Sequence, residues 1–167
     1  AERGTIIHKI IEELFNSYID EKTGEVLKTP KPDSPQLEKF KRLNTKITAK
    51  LDAFVKEIIQ EYPDALFLTE IPIINKDHTT AGTIDLIIID KNNRVNLFDW
   101  KSKKSLYYDK TTKSWQERAD IPWWNKLGWV RQIDMYVSIL KENNGVNDLG
   151  KMRAIPILVK ENFSNNS

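Results

Sequence analysis

The sequence predicts an α/β fold in which helices pack against one central β-sheet. Two observations support this prediction. Apolar residues recur at helical spacing through the first third of the chain, and the apolar period then changes to that of β-strands. A further helix and a last strand follow, so the predicted order is α-α-β-β-β-α-β. Such an order is typical of a sheet covered by helices.

The first two predicted elements are amphipathic helices. Residues 4–19 form the first, because the apolar side chains of Ile6, Ile7, Ile10, Ile11, Leu14 and Phe15 fall on one helical face. Glycine and proline in residues 20–35 indicate a loop. A second helix is predicted from about residue 35 to residue 62. Its buried stripe consists of Leu37, Phe40, Leu43, Ile47, Leu51, Phe54, Val55 and Ile58.

The remaining elements are four strands and one helix. Strands are predicted at 66–74, 83–90 and 94–101, and the turn "KNNR" joins the last two. A helix is predicted from about 125 to 141, and a last strand at 152–160.

Composition limits the possible classes of protein. The length of 167 residues favours one domain, 1–167. That this domain is a fragment of a longer chain is an alternative that the sequence leaves open. The net charge of +2 is too small to indicate nucleic-acid binding by itself. The chain has no cysteine, which excludes disulfides, thiolate zinc sites and cysteine-bound iron–sulfur clusters. Neither a signal-peptide pattern nor a membrane-crossing run is present, so we expect an intracellular protein, cytoplasmic or nucleoid-associated.

Two predicted strands carry acids where burial is expected. Asp85 interrupts an isoleucine-rich run, and Asp99 closes the next strand, with Lys101 two residues later. Adjacent strands lie about 4.8 Å apart, so pairing these runs brings both carboxylates together. Buried neighbouring carboxylates repel unless a cation lies between them, and oxygen ligands suit Mg²⁺ or Mn²⁺. Taken alone, however, Asp-x-Lys favours a structural ion pair at strand ends over a metal site.

The pattern Gly82-x-x-Asp85, then a strand, then Asp99-x-Lys101 resembles the core of the PD-(D/E)XK nuclease superfamily. Three further features are similar to its RecB-like branch, and with the core pattern they span residues 4–140. They are His8 in the first helix between Gly4 and Glu12, Glu70 in the strand before Asp85, and Gln132-x-x-x-Tyr136 in the helix after the Asp-Trp-Lys strand.

The resemblance implies a restriction-endonuclease-like core with a mixed sheet, and an active site that hydrolyses phosphodiesters. One or two Mg²⁺ or Mn²⁺ ions are implied, without the iron–sulfur cluster of several relatives. The implied metal ligands are His8, Asp85, Asp99 and the backbone carbonyl of Trp100. Lys101 is implied as the catalytic lysine, acting with Asp85, Asp99 and Glu70.

Other residues of the pattern have two interpretations each. Glu12 lies at i+4 from His8, where it is expected to orient the imidazole or reach a metal through water; a solvated helix charge is equally compatible. Glu70 is expected either to bind metal or to anchor the network. Gln132 and Tyr136 share one helical face, and the resemblance implies that they hold the active site and the nucleic-acid backbone. The alternative is a buried polar pair under the sheet.

The segment 103–126 combines basic and aromatic residues, and we name it the basic/aromatic segment. Charge for phosphates and flat rings for bases are what single-stranded nucleic acid requires. Alternatively, the segment is a hairpin whose aromatics pack on the domain. The candidate substrate contacts in it are Lys103, Lys104, Trp115, Trp123 and Trp124.

The sequence therefore predicts a metal-dependent DNA nuclease, an exonuclease or flap-type enzyme that acts on single-stranded DNA or DNA ends. One alternative is an RNA endonuclease of the cap-snatching type, which uses a similar residue set; Gln132-x-x-x-Tyr136 argues against it. The other alternative is a non-catalytic nuclease-like module that only binds nucleic acid.

Overall fold

The computed structural model describes residues 2–104, 106–117, 121 and 123–159. The helices are α1 (Glu2–Tyr18), α2 (Pro35–Leu43), α3 (Thr45–Glu61) and α4 (Trp123–Asn144). The strands are β1 (Leu66–Ile74), β2 (Ala81–Ile89), β3 (Val95–Lys104), β4 (Leu106–Asp109), β5 (Ser114–Glu117) and β6 (Leu149–Val159). The predicted α/β class and element order are confirmed. Residue 160, the predicted end of the last strand, lies outside the described residues.

The predicted helix over 35–62 is two helices, separated at Asn44. Asn44 has φ −133° and ψ 53°, so its backbone leaves the helical region. Its N–H still donates to the Phe40 carbonyl at 2.8 Å, and its carbonyl accepts from the Thr48 N–H at 2.9 Å. The Thr48 hydroxyl donates to the same Phe40 carbonyl at 3.2 Å. Asn44 thus ends one helix and begins the next, a position that asparagine favours over a helix interior.

Four strands form a mixed sheet in the order β1-β2-β3-β6. β1, β2 and β3 pair antiparallel, and β6 pairs parallel with β3. A parallel neighbour needs a crossover connection, and the chain between β3 and β6 contains α4. The mixed sheet agrees with the restriction-endonuclease-like core that the sequence implied.

The sheet buries apolar residues on both faces. On one face, α1, α2 and α3 cover a cluster that contains Phe15, Phe98 and Trp100. The rings of Phe15 and Trp100 stack with centroids 6.2 Å apart. On the other face, α4 packs Ile133 and Tyr136 against the sheet. Because side chains alternate along β3, Asp99 and Lys101 lie on the face opposite Phe98 and Trp100.

Between β3 and α4, strands β4 and β5 form a two-stranded antiparallel sheet, with Tyr108 opposite Trp115. This hairpin lies inside the basic/aromatic segment. Of the described helices, none is long and apolar enough to cross a membrane.

Candidate active site

Asp85 and Asp99 lie on adjacent antiparallel strands. The regular pairing of β2 with β3 places Leu86 opposite Phe98, so Asp85 and Asp99 come one residue further along that pairing. Both are buried, with 7% and 4% of their surface exposed. The expected juxtaposition of the two carboxylates is therefore present.

His8 reaches the same point from α1. Its Nε2 atom lies 3.2 Å from Oδ2 of Asp85. One nitrogen of His8 and one carboxylate oxygen of each aspartate all lie within 4.8 Å of one another. An imidazole and two carboxylates are ligands that Mg²⁺ and Mn²⁺ accept, and the nitrogen favours Mn²⁺ over an all-oxygen site.

Trp100 contacts this cluster through its backbone. Its N–H donates to Oδ2 of Asp85 at 2.7 Å, while its indole is buried in the cluster on the opposite face of the sheet. The structure thus gives Trp100 a role in orienting Asp85. The implied metal contact of its carbonyl stays a prediction.

The pKa values of the two aspartates shift in opposite directions because their surroundings differ. Burial by itself raises the pKa of Asp85, but hydrogen bonds from His8 and from the Trp100 N–H, together with the charge of His8, bring it below the usual value. Burial and the neighbouring Asp85 raise the pKa of Asp99 to about 6, although Lys101 opposes the shift. Two close carboxylates cannot both ionise cheaply without a cation. The pair is therefore electrostatically suited to a metal ion.

Lys101 lies beside the aspartates and contacts α4. Its Nζ atom is 2.9 Å from Oδ2 of Asp99 and donates a hydrogen bond to Oε1 of Gln132. At this distance the Lys101 ammonium and the Asp99 carboxylate form a close ion pair, which opposes the rise in the pKa of Asp99. A carboxylate has about four lone-pair sites on its two oxygens, so Asp99 can pair with Lys101 and still offer an oxygen to a divalent ion.

Glu70 sits opposite Asp85 where the pairing of β1 with β2 is irregular. Thr69 pairs with Leu86 and Ile71 with Ile84, whereas Glu70 has φ 48°, a left-handed conformation that is unusual for a glutamate. Burial, followed by the charges of Asp85 and Glu12, raises the pKa of Glu70 to about 7. Strained backbone and a shifted carboxyl pKa both concentrate at functional sites.

Glu12 and Glu70 line a cavity of 290 Å³ between α1 and β1. Oε1 of Glu12 accepts from the Lys9 ammonium at 2.7 Å. Asn16 also lines the cavity and accepts a hydrogen bond from the Thr69 hydroxyl at 3.0 Å. Sequence reasoning missed Asn16, although its spacing of four residues from Glu12 and eight from His8 puts all three on one helical face.

Tyr136 lies one helical turn after Gln132 and is only 4% exposed. Burial, followed by the charges of Asp99, Asp85 and Glu70, raises its pKa to about 12. The tyrosine is therefore neutral at physiological pH and its hydroxyl keeps its proton. The sequence paired Gln132 with Tyr136 but did not predict that Gln132 contacts Lys101.

The candidate substrate residues are only partly described. Lys103 is half-buried on β3, on the same face of the strand as Lys101. Trp115 on β5 and Trp124 in the first turn of α4 are 66% and 60% exposed. Exposure of both rings is compatible with base stacking and contrary to packing in the core. The side chains of Lys104 and Trp123 lie outside the described residues.

A search of family models gives one decisive result. The model of the PD-(D/E)XK nuclease superfamily matches residues 1–162. The chain belongs to the PD-(D/E)XK nuclease superfamily. Comparisons with curated proteins and with solved structures gave no significant match.

Membership gives the cluster of His8, Asp85 and Asp99 a chemical context. PD-(D/E)XK nucleases hydrolyse phosphodiesters and use divalent metal ions. The donor set in this chain fits such an ion, because it combines two buried carboxylates with an imidazole within reach of each other.

Proposed function

We propose that this member of the superfamily is a RecB-like DNA nuclease that trims single-stranded DNA or DNA ends, as an exonuclease or a flap-type enzyme. The observation that carries the proposal is the convergence of His8, Asp85 and Asp99 beside Lys101, with Gln132 of the Gln-x-x-x-Tyr pair in contact with that lysine. This contact supports the RecB-like assignment because it joins two parts of the pattern that lie 31 residues apart.

His8, Asp85 and Asp99 would hold one or two Mg²⁺ or Mn²⁺ ions, with the Trp100 carbonyl as a further candidate ligand. When bound, the metal supplies Lewis acidity toward the scissile phosphate and the attacking water. Glu70 is proposed to belong to the same catalytic set, on the side of Asp85 that faces α1. Glu12 is proposed to act on His8 or through water.

Lys101 is proposed to act on the phosphate and on water. Its ammonium is held between Asp99 and Gln132, so its position is defined before substrate arrives. A preorganised positive charge at that point offsets negative charge that develops on the phosphate. Tyr136 keeps its proton at neutral pH and is therefore able to donate a hydrogen bond to a phosphate oxygen.

The basic/aromatic segment is proposed to bind the single strand. Trp115 and Trp124 present exposed rings for stacking, and Lys103 provides positive charge two residues after Lys101. Lys104 and Trp123 are proposed to belong to the same surface. Residues 1–167 are proposed to form one nuclease domain that carries this segment as an insert.

The test is digestion of end-labelled single- and double-stranded DNA and RNA, with free or blocked ends, in Mg²⁺ or Mn²⁺. The expected result is metal-dependent cleavage of single-stranded DNA and of DNA with free ends, and slow cleavage when ends are blocked. Lys101→Ala protein serves as the control for a contaminating nuclease. Cleavage of RNA alone would favour the cap-snatching alternative. Binding without cleavage in either metal would favour a non-catalytic module.

A further inference from the structure

Gly82 occupies a strand position where the backbone does not require glycine. It pairs with Ile73 in the antiparallel register of β1 and β2. The described glycines with positive φ are Gly24 and Gly145, so the conformation of Gly82 is open to any L-residue. Another reason must account for a residue that weakens a strand.

The reason is the ring of Tyr136. A Cβ atom on residue 82 would lie 2.8 Å from Cε1 of Tyr136, and 3.5 Å from both Cζ and Oη. The first distance is too short for two carbon atoms, so the ring would have to move. Tyr136 is buried in one cluster with Ile84, Leu97 and Ile133, and a close-packed interior resists displacement of a ring.

The position of Tyr136 also sets the position of Gln132. The two residues lie one turn apart on α4 and therefore on one face of that helix. Oε1 of Gln132 accepts from Nζ of Lys101, and that ammonium lies 2.9 Å from Asp99. If the ring were displaced from Gly82, the helix would carry Gln132 away from Lys101.

We propose that Gly82 is a positioning residue. Because it has no side chain, the ring of Tyr136 packs directly against it on β2, and we call this contact the seat. With Tyr136 in this position, Gln132 holds Lys101 beside Asp99. The seat itself rests on packing alone. Its effect on cleavage rests on the proposed nuclease function, and the two are tested separately.

The seat is tested by thermal unfolding of Gly82→Ala, Tyr136→Leu and the double variant. Leucine ends before Cε1 and so removes the clash. We expect Gly82→Ala to lower the melting temperature when Tyr136 is present and to have little further effect in the Tyr136→Leu background, because contacting residues are not additive. If Gly82→Ala alone does not fold, the double variant should recover folding. Additive losses in melting temperature, or no recovery of folding in the double variant, would contradict the packing of Tyr136 against Gly82.

Gly128→Ala is the matched control. Gly128 lies on α4, but a Cβ there would meet nothing within 4 Å. We expect this change to leave the melting temperature unchanged or to raise it, since alanine favours a helix over glycine. A loss as large as that of Gly82→Ala would show that an added methyl group lowers stability even where it meets no neighbour, and would contradict the proposal.

The link to Gln132 has a readout that does not depend on activity. The side-chain amide signal of Gln132 in the nitrogen–proton NMR spectrum, assigned by its loss in Gln132→Ala, should shift in Lys101→Ala because the contact is lost. It should also shift in Gly82→Ala and remain in place in Gly128→Ala. An unshifted signal in Gly82→Ala would overturn the coupling between Gly82 and Lys101.

The catalytic consequence is measured last. Misplacement by about 1 Å can lower turnover on the order of 10², so kcat of Gly82→Ala should fall far more than KM changes. Adding Gly82→Ala to Gln132→Ala should slow the enzyme no further. An equal additional loss in that background would overturn the proposed route. Absence of cleavage by the wild-type chain would instead count against the proposed function, while the melting and NMR results would still decide the seat.

Discussion

Asp85 and Asp99 face each other from adjacent strands, one residue beyond the paired Leu86 and Phe98, and both are buried. His8 and the Trp100 N–H stabilise the charge of Asp85, whereas Asp99 has burial and a like charge against it. The pKa values of the two carboxyls therefore shift in opposite directions, and a cation between them would relieve their repulsion. The arrangement explains why ionisable residues stand in the strands that most need burial.

Replacing Lys101 should separate chemistry from metal binding. Because its ammonium contacts Asp99 and Gln132 and is not itself a ligand, Lys101→Ala should keep Mn²⁺ affinity while turnover falls on the order of 10² or more. Turnover is measured on end-labelled single-stranded DNA, and affinity by calorimetry. Lys91→Ala, in the exposed turn between β2 and β3, should keep full activity. Near-normal cleavage by Lys101→Ala would reduce Lys101 to a structural partner.

The metal-free protein should lose stability as pH rises through neutrality. The pKa of Glu70 is raised to about 7 in the folded chain, above its unfolded value, so its contribution is complete below the unfolded pKa and is lost as pH rises through the folded one. Melting temperatures after chelation should therefore fall from pH 5 to pH 8, and Glu70→Gln should flatten that fall. Glu57→Gln, on the exposed face of α3, is the control. Parallel curves for wild type and Glu70→Gln would contradict the raised pKa of the Glu70 carboxyl.

Exposed and buried tryptophans should behave in opposite ways. Trp115→Ala and Trp124→Ala should each reduce single-strand affinity by about 1–3 kcal/mol with little change in melting temperature, because their rings are exposed. Trp100→Ala should instead lose about 3–5 kcal/mol of stability, because its indole is packed in the core. Melting and DNA affinity are measured on the same preparations. Early melting of the exposed-residue variants with unchanged affinity would make the basic/aromatic segment a scaffold.

Lys103 is proposed to contribute positive charge to DNA binding, and this contribution should appear in the salt dependence of affinity. Lys103→Gln should weaken binding to all sequences alike and flatten the dependence of affinity on salt, because fewer counterions are released from the strand. Affinity is measured at several salt concentrations on two unrelated single-stranded sequences. An unchanged slope would remove Lys103 from the proposed DNA surface.

Periodicity predicted the elements well where one apolar pattern corresponds to one element. The break at Asn44 escaped it because the apolar stripe continues from Leu43 to Ile47 at helical spacing, as it would in one helix. The break depends instead on backbone bonds around Phe40 and Thr48, which leave no mark on the apolar pattern.

The approach of Asp85 to Asp99 was predictable because a short turn joins their strands and leaves few possible registers. The contacts of α4 with the sheet were not predictable from the sequence. Gln132 meets Lys101, and Tyr136 meets Gly82, only because packing sets the height and rotation of α4 on the sheet. The left-handed backbone of Glu70 was equally hidden, since it arises from an irregular pairing of two strands.

Calorimetric titration with Mn²⁺ tests whether His8, Asp85 and Asp99 form one metal centre. Asp99→Asn keeps the volume of the side chain and removes its charge, whereas Asp134→Asn makes the same change on the exposed face of α4. Loss of a ligand should weaken Mn²⁺ binding at least about tenfold, which is the lower limit even for groups that only support a ligand. We expect this loss for Asp99→Asn and none for Asp134→Asn. Equal Mn²⁺ affinity in wild type and Asp99→Asn would contradict the assignment of Asp99 as a metal ligand.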